Sequence, residues 1–134
     1  GAFKHALKRR RCLVLADGFY EWKKEAGSKM PMRIGLKDWE TFGFAGLWES
    51  WKDKESGEEM GSCTIITCPP AADIAHIHDR MPVILARRAE PLWIDRGTPF
   101  DKVSGLLVPY EAQPLRAEEE TPPPAGQPNL FSSG

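Results

Sequence analysis

Residues 11–22 read RCLVLADGFYEW, and the predicted fold is built around this stretch. The apolar run at 11–16 is typical of a buried strand. Asp17 and Gly18 form the strongest short-range signal for a hairpin. In residues 19–23, large aromatic and charged side chains alternate from position 20 onward, which is typical of a second strand, since every other side chain of a strand lies on the same face. The stretch therefore predicts two consecutive strands joined by a tight turn.

Glu21 lies within the second of these strands, among large aromatic residues. The alternation places it with Phe19 on one face and puts Tyr20 and Trp22 on the other. Burial beside aromatic rings disfavours a charged carboxylate, and a carboxyl group that keeps its proton near neutral pH suits proton transfer. Glu21 is therefore a candidate catalytic residue. The alternative is an exposed strand residue that pairs with a lysine.

The composition describes an ordinary globular protein. The chain has 134 residues, of which 41% are apolar and 28% charged, enough for one domain with a real core. No apolar run approaches the roughly eighteen residues of a membrane span, and no signal peptide opens the chain. Three cysteines without a dense framework favour reduced thiols and a cytoplasmic location.

The formal net charge of −1 hides a basic N-terminal third. Residues 1–33 hold nine Lys and Arg against three acids, a local net charge of +6. Such an excess is compatible with a polyanionic partner. The alternative is a solvated helix face.

Patterns along the rest of the chain predict short elements bounded by turns. Helices are expected at 2–10, 71–77, 90–95 and 99–107, and strands at 32–36, 42–48, 62–68 and 81–85. Together these elements predict an α+β domain, with a strongly bent, mostly antiparallel sheet or a partly open barrel and short helices. We expect this domain to cover residues 1–110. Residues 111–134 are rich in Pro and Glu and are predicted to be a disordered tail.

A second candidate site lies at residues 76–80, which read HIHDR. His78 comes where a predicted helix meets the strand 81–85, and histidine is the usual acid or base near neutral pH. The alternative is a structural histidine at a helix end. Arg80 could hold a phosphate through both of its terminal nitrogens, or could pair with Asp79.

Metal and cofactor chemistry find little support. Cys63, Cys68, His76 and His78 could supply four ligands, but the spacing of the cysteines is at the edge of zinc patterns. The two cysteines also have opposite parity, so a regular strand would point them to opposite faces. Neither common type of glycine-rich phosphate loop is present in the sequence. We expect neither a metal nor a cofactor.

Four blocks of sequence, in this order, closely resemble the SRAP family, the SOS response-associated peptidases. The blocks are RCLVLADGFYEW at 11–22, FGFAGLWE at 42–49, TIIT at 64–67 and IHDRMPVIL at 77–85. The resemblance implies DNA repair. Family members recognise abasic sites in single-stranded DNA and bind them covalently through an N-terminal cysteine, which forms a thiazolidine with the sugar aldehyde. The family is also a thiol autopeptidase that removes the residues preceding that cysteine.

The resemblance carries over residue by residue. Glu21 and His78 match the residues that assist proton transfer around crosslink formation and reversal, and Arg80 and Trp22 match positions that contact single-stranded DNA. The implied partner is single-stranded DNA with abasic sites, without a membrane or a metal. The implied protein is a monomer when complete, located in the cytoplasm and associated with the nucleoid when bound to DNA.

The family's opening block, with its cysteine nucleophile, does not match this sequence. The chain resembles the C-terminal two-thirds of an SRAP domain, and Cys12 lies inside a predicted strand. We therefore expect that this chain alone does not form the thiazolidine crosslink. A non-catalytic single-stranded DNA-binding module is the alternative function, supported by the basic N-terminal third and by Trp22.

Overall fold

The computed structural model describes residues 1–120. The helices are α1 (Ala2–Arg9), α2 (Glu90–Ile94) and α3 (Phe100–Val103). The strands are β1 (Arg11–Ala16), β2 (Phe19–Glu25), β3 (Ser28–Gly35), β4 (Phe42–Lys52), β5 (Glu59–Ile65), β6 (Thr67–Cys68), β7 (Met81–Pro82), β8 (Ile84–Leu85) and β9 (Arg116–Glu119). Every strand pair in this part of the chain is antiparallel. The predicted α+β class is confirmed.

The largest sheet is organised around β4. One edge of β4 pairs with β1, and its other edge is shared by β5 and β8. At the fork, the N–H of Ala45 donates to the carbonyl of Val83 at 2.9 Å, and the carbonyl of Ala45 accepts from the N–H of Ile66 at 3.0 Å. A Cβ on Gly46 would lie 3.0 Å from Cys12 Sγ, so a larger side chain at this position would crowd the neighbouring strand β1.

The predicted hairpin at Asp17 and Gly18 is wrong. β1 pairs with β4, whereas β2 pairs with β3, so these two residues link different sheets. Among the glycines of residues 1–120, only Gly27 and Gly57 have a positive φ. The tight hairpin lies instead between β2 and β3, where Ala26 and Gly27 have φ of 43° and 84°, the left-handed conformations that a type I′ turn requires.

The second sheet has the order β2-β3-β9. Strand β9 pairs with residues 32–35 of β3. The prediction of a disordered tail from residue 111 is therefore wrong up to residue 120. The segment is acidic and exposed on both faces, which is typical of an edge strand that avoids further pairing. Residues 121–134, which hold the run of prolines, lie outside the described residues.

Two predicted strands are split by the fork in the large sheet. Residues 62–68 leave β4 at Ile66 and continue as β6, which pairs with β7 in a separate two-stranded sheet. Residues 81–85 divide at Val83, whose N–H donates to the carbonyl of Ile66 at 2.8 Å. The helix predicted at 71–77 is reduced to a 3₁₀ turn at Ala72–Ile74.

The core lies between the two larger sheets. The rings of Phe19 on β2 and Phe44 on β4 meet edge to face, with centroids 5.9 Å apart. Phe42 extends this contact from the same face of β4, at 4.9 Å from Phe44. Ile34 on β3 is fully buried. Phe19 thereby anchors β2, the strand that carries Glu21, to the centre of the large sheet.

Arg11 is the buried charged side chain at the start of β1. Its guanidinium donates to the carbonyls of Leu7 at 2.7 Å, Trp93 at 2.6 Å, Asp95 at 2.8 Å and Thr98 at 2.7 Å. Burial lowers the pKa of Arg11 from its ordinary value, and the carboxylate of Asp95 opposes that effect. One side chain thus joins β1 to the end of α1 and to the segment that follows α2.

Gly35 gives the first testable prediction. A Cβ at this position would lie 2.8 Å from Trp39 Cε3 and 2.9 Å from the carbonyl oxygen of Asp17. Gly35→Ala is expected to lower the free energy of unfolding in urea by about 1–3 kcal/mol, the usual cost of overpacking. Gly61→Ala is the control, because its Cβ would meet nothing closer than 3.9 Å. Equal stabilities for the two variants would contradict the prediction.

Candidate functional site

Glu21 projects from the face of β2 that is turned to the core. Phe19 shares this face, and the cross-strand partners of the two residues are Met32 and Ile34 on β3. The side chain of Glu21 is only 18% exposed. Burial raises the pKa of its carboxyl group above the ordinary value, while the imidazole of His78 opposes that effect. Glu21 is therefore not the exposed, lysine-paired strand residue that the sequence left open.

His78 reaches this carboxyl group from the loop between β6 and β7. Its Nε2 lies 3.8 Å from Glu21 Oε2. On the other side of the ring, Nδ1 lies 3.2 Å from the backbone nitrogen of Arg80 and 3.1 Å from its carbonyl oxygen. In the tautomer in which Nδ1 donates to that carbonyl, Nε2 carries no proton and turns its lone pair towards Glu21. The structure thus brings together two titratable side chains that are 57 positions apart in the sequence.

Asp79 lies beside the same pair. Its Oδ1 is 3.4 Å from His78 Nδ1, and its charge adds to the rise in the pKa of Glu21. The backbone N–H of Trp22 works in the other direction, because a hydrogen bond to the Glu21 carboxylate favours the charged form. The site therefore combines groups that raise and groups that lower the proton affinity of Glu21, and burial has the largest effect.

The side chain of Arg80 is exposed to solvent and is hydrogen-bonded to Thr67 on β6. Its Nη2 donates to Thr67 Oγ1 and to the carbonyl of Thr67, both at 3.0 Å, and its Nε lies 3.3 Å from the same hydroxyl. Within residues 1–120 no ion pair joins Arg80 to Asp79, so the predicted alternative pairing is not found. Nη1 makes no hydrogen bond to the described residues and is available to an anion.

Trp22 is the predicted site residue that the structure does not bring to this pair. Strand alternation points its side chain away from Glu21, on the face that it shares with Tyr20. The directly opposite residue on β3 is Pro31. The indole is half-buried and lies next to the site along the chain, on the reverse face of the strand.

Thr67 is the site residue that the sequence reasoning missed. The TIIT block suggested only a strand rich in β-branched residues. The contact depends on the pairing of β6 with β7, which sets Thr67 opposite Pro82, two positions beyond Arg80. No local sequence pattern predicts the pairing of β6 with β7, because the two strands are separated by a loop of twelve residues, 69–80.

The thiols and the metal hypothesis also have a structural outcome. Burial raises the pKa values of the Cys12 and Cys68 thiols, which makes them poorer nucleophiles. Cys63 is exposed on β5, whereas Cys68 is buried on β6. In residues 1–120, no three His, Cys, Asp or Glu side chains converge as ligands for a metal ion.

No helix within residues 1–120 has the length and apolar character needed to cross a bilayer.

A partly buried carboxyl–imidazole pair beside an exposed arginine has the chemical groups needed for proton transfer next to an anion. The chain belongs to the SOS response associated peptidase (SRAP) family, whose family model matches residues 1–120. The resemblance read from the four sequence blocks is thereby confirmed.

Named relatives show the same relationship. The chain is 45% identical over 118 residues to "Abasic site processing protein YoaM" of Bacillus subtilis (strain 168), covering 87% of this chain and 52% of that protein. It is 35% identical over 125 residues to "Abasic site processing protein HMCES" of Gallus gallus, covering 78% of this chain and 37% of that protein. The chain thus spans about half the length of its Bacillus relative.

A solved structure supports the fold. A protein from Bacteroides thetaiotaomicron superposes with a TM-score of 0.81 at 31% identity, covering 87% of this chain and 52% of that one. A protein from Bordetella bronchiseptica superposes with a TM-score of 0.77 at 29% identity, covering 89% and 59%.

Proposed function

We propose that, in the complete protein, this site processes abasic sites in single-stranded DNA through a covalent DNA–protein crosslink, which this chain alone is expected not to form. The observation that carries the proposal is the approach of His78 Nε2 to within 3.8 Å of Glu21 Oε2, at a carboxyl group whose pKa is raised by burial. The names of the relatives, abasic site processing proteins, supply the substrate class. The protein acts as a monomer in the cytoplasm, on exposed single strands.

The chemistry needs two proton transfers at one carbon. An amine adds to the C1′ aldehyde of the open sugar, and the resulting hydroxyl leaves as water to form an imine. A thiol on the same nucleophile then adds to the imine carbon and closes a thiazolidine ring, with no net oxidation or reduction. Protonated Glu21 gives its proton to the departing hydroxyl, and neutral His78 accepts one from the amine.

The same pair can serve the peptidase activity of the family. Cleavage of a peptide bond before the cysteine adds water to the carbonyl carbon and needs a proton on the departing amine, which a carboxyl group with a raised pKa supplies. Reversal of the crosslink needs the same transfers in the opposite direction. One acid–base pair can therefore move the protons in all three reactions.

Arg80 supplies the DNA contact beside the reacting carbon. Its free Nη1, next to the Nη2 that Thr67 holds, presents a guanidinium edge to a phosphate near the lesion. On the reverse face of β2, Trp22 offers an aromatic surface on which an unpaired base can stack. A single strand has no complementary bases to separate, so opening the sugar costs little base-pairing energy.

The proposal is tested by supplying the nucleophile in solution. We expect the chain to accelerate thiazolidine formation between free cysteine and a single-stranded oligonucleotide with one abasic site. Because general acid–base catalysis contributes about 10²–10⁴-fold, an acceleration of at least about 10-fold over the reaction without protein is expected. The adduct is measured by denaturing gel electrophoresis and mass spectrometry.

An oligonucleotide whose abasic sugar has been reduced to the alcohol is the control, because it retains the phosphates but offers no aldehyde. The proposal fails if the protein binds the abasic strand and the rate with free cysteine stays at the background value.

The alternative function is a non-catalytic module that only binds single-stranded DNA. The observation that favours it is the exposed guanidinium of Arg80, together with the basic residues 1–33. Such a module would bind abasic and undamaged strands alike and would leave the cysteine reaction unchanged. Both functions predict that Arg80→Ala loses DNA binding. Only the rate of the reaction with free cysteine therefore distinguishes the two functions.

A further inference from the structure

Two tryptophans of this chain each have two arginine guanidinium groups close to the indole ring. The ring centroid of Trp39 is 3.9 Å from the Cζ of Arg33 and 4.6 Å from that of Arg116. The ring centroid of Trp48 is 5.8 Å from the Cζ of Arg10 and 6.0 Å from that of Arg96. The first cluster is tight, whereas the second lies at the outer limit of a cation–π contact.

The charges of the tight Trp39 cluster are neutralised within the fold. Arg33 lies 3.7 Å from Asp17, and the Nε of Arg116 lies 2.9 Å from Glu118. The Trp39 ring covers Gly35 so closely that a Cβ there would clash. This cluster therefore fastens β9 and the segment after β3 to the second sheet.

The Trp48 cluster keeps an excess of positive charge. Arg10 faces Glu49 at 3.6 Å, and Arg96 makes no ion pair with the described residues. The last turn of α1 adds Lys8 and Arg9 at the same end of the helix as Arg10. Trp48 is half-buried, so part of this residue is exposed to solvent beside two guanidinium groups that lie at the outer limit of contact.

The position of Trp48 relates it to the proposed catalytic site. Strand alternation puts Trp48 on the face of β4 that also carries Phe44. Phe44 contacts Phe19, which lies two residues before Glu21 on the core-facing side of β2. Trp48 therefore lies on the same side of the large sheet as the site, farther along β4, where the strand leaves the core.

We propose that Arg10, Trp48 and Arg96 form a second contact for single-stranded DNA. An unpaired base stacks on the Trp48 indole, and the two guanidinium groups hold the phosphates on either side of that base. The proposal rests on the proposed function for its ligand, and it extends the DNA path beyond the Glu21–His78 site. Stacking tolerates any base, so this contact adds affinity without sequence preference.

The test measures the binding of undamaged DNA, which has no aldehyde to react. A 20-nucleotide oligothymidylate with a terminal fluorophore is titrated with the chain, and anisotropy is followed at several salt concentrations. Trp48→Ala is expected to weaken binding about 10-fold, and Trp48→Phe less than Trp48→Ala, since a ring is kept. Arg96→Ala is expected to lower the slope of log K against log salt by about 0.7, the value for one phosphate on a single strand.

Arg116→Ala is the matched control, because it removes an arginine that also lies over a tryptophan but is paired within the fold. The proposal is overturned if Arg96→Ala and Arg116→Ala have equal affinities and salt slopes, or if the unmodified chain does not bind the oligonucleotide. If Trp48→Ala does not fold, the exposed Arg96 decides the question alone. Loss of undamaged-DNA binding with an unchanged cysteine reaction separates this proposal from the proposed function.

Discussion

Glu21→Gln is expected to lower the rate of thiazolidine formation with free cysteine about 100-fold, at the lower end of what one acid–base residue contributes. Glutamine keeps the shape and the hydrogen-bonding oxygen but has no proton to give to the departing hydroxyl. Affinity for abasic single-stranded DNA is expected to change less than about threefold, because the acid acts in the transition state and not in binding. Rates come from single-turnover assays, and affinities from anisotropy.

Glu25→Gln is the matched control on the same strand, where Glu25 is exposed and pairs with Lys23 at 2.9 Å. Its rate should equal that of the unmodified chain. His78→Ala should also slow the reaction, and the double variant should lose less than the product of the two single losses, because the residues act as one unit. Strictly multiplicative losses would show that the two side chains work independently.

Glu21→Gln is also expected to change how the free energy of unfolding depends on pH. At pH values well below 4.5, the ordinary pKa of this group, Glu21 is protonated in both folded and unfolded chains. As the pH rises from there, the unfolded chain releases this proton first, because burial raises the pKa in the folded state. The folded chain therefore loses stability until the pH passes that raised pKa. Urea titrations from pH 4 to 8 should show Glu21→Gln gaining stability over the unmodified chain across this window.

Arg11→Met is expected to lower the free energy of unfolding by at least about 3 kcal/mol. The substitution leaves four carbonyls without their donor, at Leu7, Trp93, Asp95 and Thr98, and each buried acceptor that loses its partner costs about 1–3 kcal/mol. Methionine replaces much of the apolar volume of the side chain, so the measured loss reflects hydrogen bonds more than a cavity. Urea unfolding followed by tryptophan fluorescence measures it.

Arg10→Met is the neighbouring control for Arg11. Arg10 is partly exposed and has one ion pair at 3.6 Å, which contributes no more than about 1 kcal/mol. If Arg11→Met is too unstable to purify, Arg11→Lys keeps the charge but loses the planar fork, and we expect an intermediate loss. A loss below about 1 kcal/mol in Arg11→Met would show that water replaces the guanidinium.

Local pattern was sufficient for several elements. The helix predicted at 2–10 is α1, the strand at 11–16 is β1, and the alternating residues 19–23 lie within β2. These elements follow from neighbours in the sequence, since side-chain periodicity and β-branched or apolar composition act over a few residues. The glycine-spaced run at 42–48 became β4 for the same reason.

Local pattern gave wrong predictions where strand pairing depends on segments that are distant in the sequence. Asp17 and Gly18 have the composition of a hairpin turn. However, β1 pairs with residues 42–47 of β4 along its whole length, so it does not pair with β2 across this turn. The acidic, proline-bounded segment after residue 111 lacks the composition of a core strand, yet it pairs with β3 as an exposed edge. Composition predicts burial, whereas an edge strand needs only free backbone groups.

Four blocks of residues identify the family from the sequence alone, and Glu21, His78 and Arg80 stand out in them as chemically suited side chains. The meeting of Glu21 with His78 at 3.8 Å, and the hydrogen bonds from Arg80 to Thr67, are visible only in the folded chain. Proximity across 57 positions depends on the pairing of β6 with β7 and on the contact of β2 with the large sheet. Those long-range contacts, together with the burial that raises the pKa of Glu21, are properties of the packed chain and of no single segment.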